Sequence, residues 1–75
     1  MFEEVRAVIA DVLSLPEEDV QMNSLLVEDL GLDSLDAMEM VLALEKKCKV
    51  KIKDEQIMQL KSVADIVQLL TNELG

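Results

Sequence analysis

Apolar residues recur at spacings of three and four in separate stretches of this chain, and the period is lost between them. Phe2, Val5, Val8, Ile9, Val12 and Leu13 predict a first amphipathic helix that ends near Pro16, with Glu3, Glu4, Arg6 and Asp11 turned to water. From Pro16 to Asp33 no period is sustained, and the stretch reads as a long connection. Its leucines, Leu25, Leu26 and Leu30, are expected to pin it to the core, through a helical turn, rather than leave it free. Gly31 then permits a turn, and Asp33 is placed to accept hydrogen bonds from the free N–H groups of a second helix over Ser34 to about Cys48. Lys49 to Lys53 alternates like an edge strand but has no second strand to pair with, so a loop is expected, with Val50 and Ile52 inward. Asp54 is placed to cap a short third helix carrying Ile57 and Leu60. Ser62 with Asp65 resembles a capping box opening a last helix that buries Val63, Ile66, Val67, Leu70 and Leu74. The expected fold is all-α, a small four-helix bundle of three main helices and a short third one, with a long loop between helices 1 and 2. At 75 residues it is one domain, 1–75, with a thin margin of stability.

The second helix carries more apolar surface than one face can bury. Turning about 100° per residue from Leu35, the residues Ala37, Met40, Val41, Leu44 and Cys48 gather on one arc, the core face. Leu35, Met38 and Leu42 fall on the opposite side, flanked by Glu39 and Glu45. That second stripe either packs under the long loop or forms a docking face with an apolar centre and a charged rim.

Charge sharpens the choice. The net charge of −9 disfavours nucleic acid as a partner and favours basic protein surfaces. Its distribution is uneven: Met1 to Glu45 holds twelve acids against one Arg (net −11), whereas Lys46 to Gly75 holds six Lys against four acids (net +2). Partner binding is therefore expected to depend more on the start of the second helix than on its end. The longest apolar runs fall far short of the roughly 20 residues of a membrane helix, so no membrane insertion is expected. The single Cys48 makes no internal disulfide, and the N-terminus shows no basic segment leading into a long apolar run. Together these set the expectation of a reducing, cytoplasmic compartment, with a monomer as the default state. Cys48, on the core face, reads as a small core residue.

Ser34 lies between two aspartates, just past Gly31, and no catalytic role fits it. The chain has no histidine and no G-x-S-x-G elbow to activate a serine, and its lysines begin only at Lys46. Neither His nor paired Cys is present to hold zinc, and the acidic stretch lacks the alternating ligands of a calcium loop. What remains is helix-start polarity or an attachment point, where a phosphodiester on the hydroxyl would sit over free N–H groups and the positive end of the helix dipole.

The string DLGLDSLDAMEMVLALEKK, with D-S-L after an L-G turn, resembles the acyl carrier proteins, and the likeness runs on through DEQI and SVADIVQLL. The resemblance implies that Ser34 receives 4′-phosphopantetheine from coenzyme A by a separate phosphopantetheinyl transferase, and that the arm carries acyl groups as thioesters. It implies a non-enzymatic carrier serving acyl transferases, ketosynthase and other enzymes of fatty acid and lipid synthesis. Asp33, Leu35 and Asp36 match positions that surround the modified serine, and Met38, Glu39, Leu42 and Glu45 match positions through which such carriers dock. Departures stand at Lys46 and Lys47, where acids are common in the family, at Cys48 and Leu26, where aromatics are common, and at Lys53, where a proline is common. The lysine-rich segment leaves room for a carrier dedicated to a polyketide, a nonribosomal peptide or another specialised acyl pathway. A third reading, from a different class, is an unmodified acidic helical adaptor.

Overall fold

Three long helices and one short one are joined by a connection of twenty residues. The computed structural model describes the backbone of residues 1–74 and the side chains of residues 1–73, with α1 over Phe2–Leu13, α2 over Ser34–Cys48, α3 over Asp54–Ile57 and α4 over Val63–Leu74. Helix α1 packs against both α2 and α4. Val5, Val8 and Ile9 of α1 meet Met40, Val41 and Leu44 of α2 and Val63, Ile66 and Leu70 of α4 in one aliphatic core. The expected all-α bundle is the fold. The expected burial of Leu74 lies outside the described residues.

Helices α1 and α2 stop for local reasons. Ser14 turns left-handed (φ 56) after α1, the Leu15 N–H donates to the Ala10 carbonyl at 2.9 Å, and Pro16 bars continuation. Lys49 does the same after α2 (φ 57), with the Val50 N–H donating to the Glu45 carbonyl at 3.2 Å. Helix α4 opens with the predicted reciprocal cap: the Asp65 N–H donates to Ser62 Oγ at 3.3 Å and the Ser62 N–H to Asp65 Oδ2 at 3.1 Å.

The long connection is tied down, though not by all the expected leucines. A helical turn forms at Glu17–Asp19, and Val20, Leu26 and Leu32 are buried while Leu30 is half-buried. Leu25 is 40% exposed, and its backbone pairs with Ser62 in a short antiparallel contact. Around it, the Leu26 N–H donates to the Lys61 carbonyl at 2.9 Å, and the N–H groups of Val63 and Ala64 donate to the carbonyls of Ser24 and Met22 at 3.0 Å. The loop thus satisfies donors that the start of α4 would otherwise leave unpaired.

Three smaller expectations are corrected. Arg6 is half-buried rather than turned to water: its guanidinium lies 4.4 Å from the Phe2 ring centroid, and its Nε donates to the Val20 carbonyl at 3.0 Å, tying the loop to α1. Asp54 does not cap α3 but is its first residue. The preceding Lys53 is extended, and its N–H donates to Gln56 Oε1 at 2.9 Å. Cys48 is half-buried rather than buried.

Among the described residues the one ion pair within 4 Å joins the N-terminal amine to Glu4. The twelve acids of the first 45 residues are therefore balanced chiefly by solvent ions, and self-repulsion opposes the compact state. We expect the melting temperature to rise as sodium or magnesium chloride is added. A flat or falling melting curve would show that this repulsion is not a term in the stability.

Candidate functional site

Ser34 is the first residue of α2 and is exposed. The turn before it is set by Gly31, whose φ of +72 suits glycine and whose N–H donates to the Val27 carbonyl at 3.1 Å. Open space lies where a Cβ would project from Gly31, so alanine there meets only the conformational cost. Gly31→Ala should lower stability by about 1 kcal/mol, seen as a drop of roughly 4–8 °C in melting temperature. No change would mean that the turn is free to relax.

Asp33 caps the helix as expected, accepting the Asp36 N–H on Oδ1 at 2.8 Å. Asp36 returns the bond, accepting the Asp33 N–H on Oδ2 at a long 3.5 Å. The two acids that flank Ser34 are thus a capping box, a D-x-x-D spacing legible in the chain but not read there as reciprocal. No group among the described residues accepts from the N–H of Ser34 or Leu35. The first turn therefore presents two free donors and the positive end of a fifteen-residue helix beside the hydroxyl.

The second stripe of α2 does not pack under the loop. Leu35 is 72% exposed, Met38 63% and Leu42 56%, so an apolar strip runs about two turns down from Ser34. Glu39 is exposed on its rim. Glu45 is half-buried, and its Oε2 accepts the Ile52 N–H at 2.8 Å, which holds the segment after α2 against the helix. The predicted residues from Asp33 to Leu42 thus share one surface, while Glu45 at its far end also has a structural duty.

Beside Ser34 lies a cleft whose walls sequence reasoning did not assemble. It has a volume of about 520 Å³ and is walled by Leu26 and Leu32 of the loop, Ala37 and Met40 of α2, and Ile57 and Leu60 from α3 and its exit. These residues come from three segments that only the fold brings together. The sole signal was that each is apolar. Helix α3 buries none of its own residues, so this wall of the cleft is the least anchored.

A family profile described as "Phosphopantetheine attachment site" matches residues 3–70. The chain is 46% identical over 70 residues to the acyl carrier protein of Campylobacter curvus, covering 93% of this chain and 91% of that protein. It is 41% identical over 71 residues to the acyl carrier protein of Clostridium perfringens, covering 95% and 93%. A solved structure assigned as an acyl carrier protein from Mycobacterium tuberculosis superposes with a TM-score of 0.88 at 27% identity, covering 95% of both chains.

Proposed function

The chain belongs to the acyl carrier protein family, non-catalytic carriers with a covalently attached 4′-phosphopantetheine, and on that premise we propose that Ser34 is its attachment residue. The observation that carries this reading is one hydroxyl that is exposed, sits on the first turn of α2 beside two free N–H groups, and opens onto an apolar cleft. When bound, the group supplies a mobile thiol on which acyl chains are held as thioesters. The chain's own residues do the rest. The N–H groups of Ser34 and Leu35 favour the phosphodiester, and Asp33 and Asp36 hold the turn rigid around it. The cleft walled by Leu26, Leu32, Met40 and Ile57 shelters an aliphatic chain from water. The strip of Leu35, Met38 and Leu42, rimmed by Asp36 and Glu39, docks the enzymes that load and use the arm.

Within that family we assign the chain to fatty acid and lipid synthesis in the cytoplasm, as a monomer whose residues 1–75 act as one carrier unit. Its partners are a phosphopantetheinyl transferase, acyl transferases and a ketosynthase. One observation favours a second reading, a carrier dedicated to a specialised acyl pathway: the exposed lysines from Lys46 to Lys53 stand at the end of the docking helix. The purified, phosphopantetheinylated protein should accept malonyl from a fatty-acid malonyl transferase and support ketosynthase condensation within about tenfold of a known fatty-acid carrier. Turnover lower by more than about a hundredfold, roughly 2.7 kcal/mol of lost transition-state stabilisation, would move the assignment to the specialised pathway.

A further inference from the structure

Lys46, Lys47, Lys49, Lys51 and Lys53 fall within eight residues with no acid between them, and all five are exposed. The single ion pair among the described residues lies elsewhere, so no carboxylate among the described residues comes within 4 Å of them. The helix dipole accounts for Lys46 and Lys47, which stand in the last turn of α2 near its negative end. It does not reach Lys51 and Lys53. These two alternate with half-buried Val50 and buried Ile52, so one side of the segment belongs to the core and the other presents exposed lysines. The row is held in place, because the Ile52 N–H is bound by Glu45 and the Lys53 N–H by Gln56.

The position of the row matters as much as its sign. Asp33, Asp36 and Glu39 mark the Ser34 end of α2, and Lys46, Lys47 and Lys49 mark the other end, about 20 Å away along the axis, from which Lys51 and Lys53 run back beside Glu45. The exposed apolar strip of Leu35, Met38 and Leu42 lies between the two ends of the helix. We propose that the Lys46–Lys53 row is a second docking contact, which engages an acidic patch on the same partner enzyme that binds the Ser34 end of α2. The proposal rests on the carrier reading. Its consequence is register. A helix acidic along its whole length meets a basic patch with similar energy in either direction. A helix with opposite signs at its ends sets lysines against that patch when reversed, and reversed docking is disfavoured. Since an arm fixed at one end must enter one active site, that discrimination selects the productive orientation.

A protein patch fits this row better than an extended anionic surface. Glu45, Asp54 and Glu55 border the lysines, and the molecule as a whole carries −9. A bilayer or a nucleic acid presents phosphate to those acids as well as to the lysines, whereas a discrete acidic patch does not.

The test uses the phosphopantetheinylated protein and a variant with Lys→Gln at all five positions, with the malonyl transferase and ketosynthase encoded in the same genome as probes. At low salt the variant should show a KM raised about tenfold with at least one of the two enzymes and kcat unchanged. The gap should close at high salt, and fluorescence anisotropy should show the same loss of affinity. The double variant Lys51→Gln/Lys53→Gln lies outside α2 and should show the same trend if the full variant fails to fold. Unchanged KM values for both enzymes overturn the proposal. Unchanged kinetics, with lysine-dependent sedimentation on phosphatidylcholine–phosphatidylglycerol vesicles or a lysine-dependent shift of duplex DNA, overturn it in favour of those surfaces. Intact mass before the kinetics separates the two failures: a wild-type chain that gains no phosphopantetheine removes the premise itself.

Discussion

Replacing Ser34 with alanine should abolish the gain of one phosphopantetheinyl group on incubation with coenzyme A and a phosphopantetheinyl transferase, with no measurable loss of stability. The two halves of that result have separate causes. The Asp33 carboxylate, not the Ser34 hydroxyl, caps α2, so removing the hydroxyl leaves the start of the helix intact. Alanine is also the stronger helix former, and the change in stability should stay within about 0.5 kcal/mol. Chemistry, by contrast, has no substitute: a phosphodiester needs that oxygen. Ser62 is the control. Its Oγ accepts the Asp65 N–H at the start of α4, so Ser62→Ala should cost about 1 kcal/mol while loading proceeds in full. Intact-mass spectrometry and thermal melts read both variants. Loading that survives Ser34→Ala would move the attachment residue, and a wild-type chain that never loads would favour the unmodified adaptor.

How much of the fold was legible comes down to what side chains reveal in order along a chain. The three long helices were readable because burial of Val5, Ile9, Leu44, Ile66 and Leu70 imposes a period on the sequence itself. The exposed face of α2 was readable for the same reason: two apolar stripes on one helix leave one unburied, and Leu35, Met38 and Leu42 are that one. The loop obeys no period, and there the reading was partial. Leu26 and Leu25 look alike in sequence, yet one is buried and the other exposed. What separates them is a set of backbone bonds from Met22, Ser24 and Leu26 to residues 61–64, and backbone groups are the same for every residue type. Val20 and Leu32 were missed on the same ground. So were the walls of the cleft, which come from the loop, α2 and α3. Arg6 shows the opposite error, since a cation on a polar arc looked solvated until Phe2 and the Val20 carbonyl were seen to take it.

That loop carries the second large effect. Leu26 is 1% exposed, its N–H donates to the Lys61 carbonyl, and its own carbonyl accepts the Leu32 N–H at 2.9 Å. Leu26→Ala should therefore cost about 2–4 kcal/mol, the loss of a buried leucine plus the void it leaves. Total stability for a chain of this size is on the order of 4–11 kcal/mol, so the variant stands near the edge of folding. Leu25→Ala, one residue away and exposed, should cost less than about 1 kcal/mol. Urea denaturation followed by circular dichroism measures both, and the midpoint should fall sharply for Leu26→Ala with the slope unchanged. The same truncation widens the cleft beside Ser34 without touching the hydroxyl, so phosphopantetheine loading should persist in whatever fraction remains folded. Equal costs for the two leucines would mean that the connection is held by its backbone bonds alone. A small cost for Leu26→Ala beside a large one for Ile66→Ala, at the centre of the core, would mean that the loop rides on the bundle without being part of its stability.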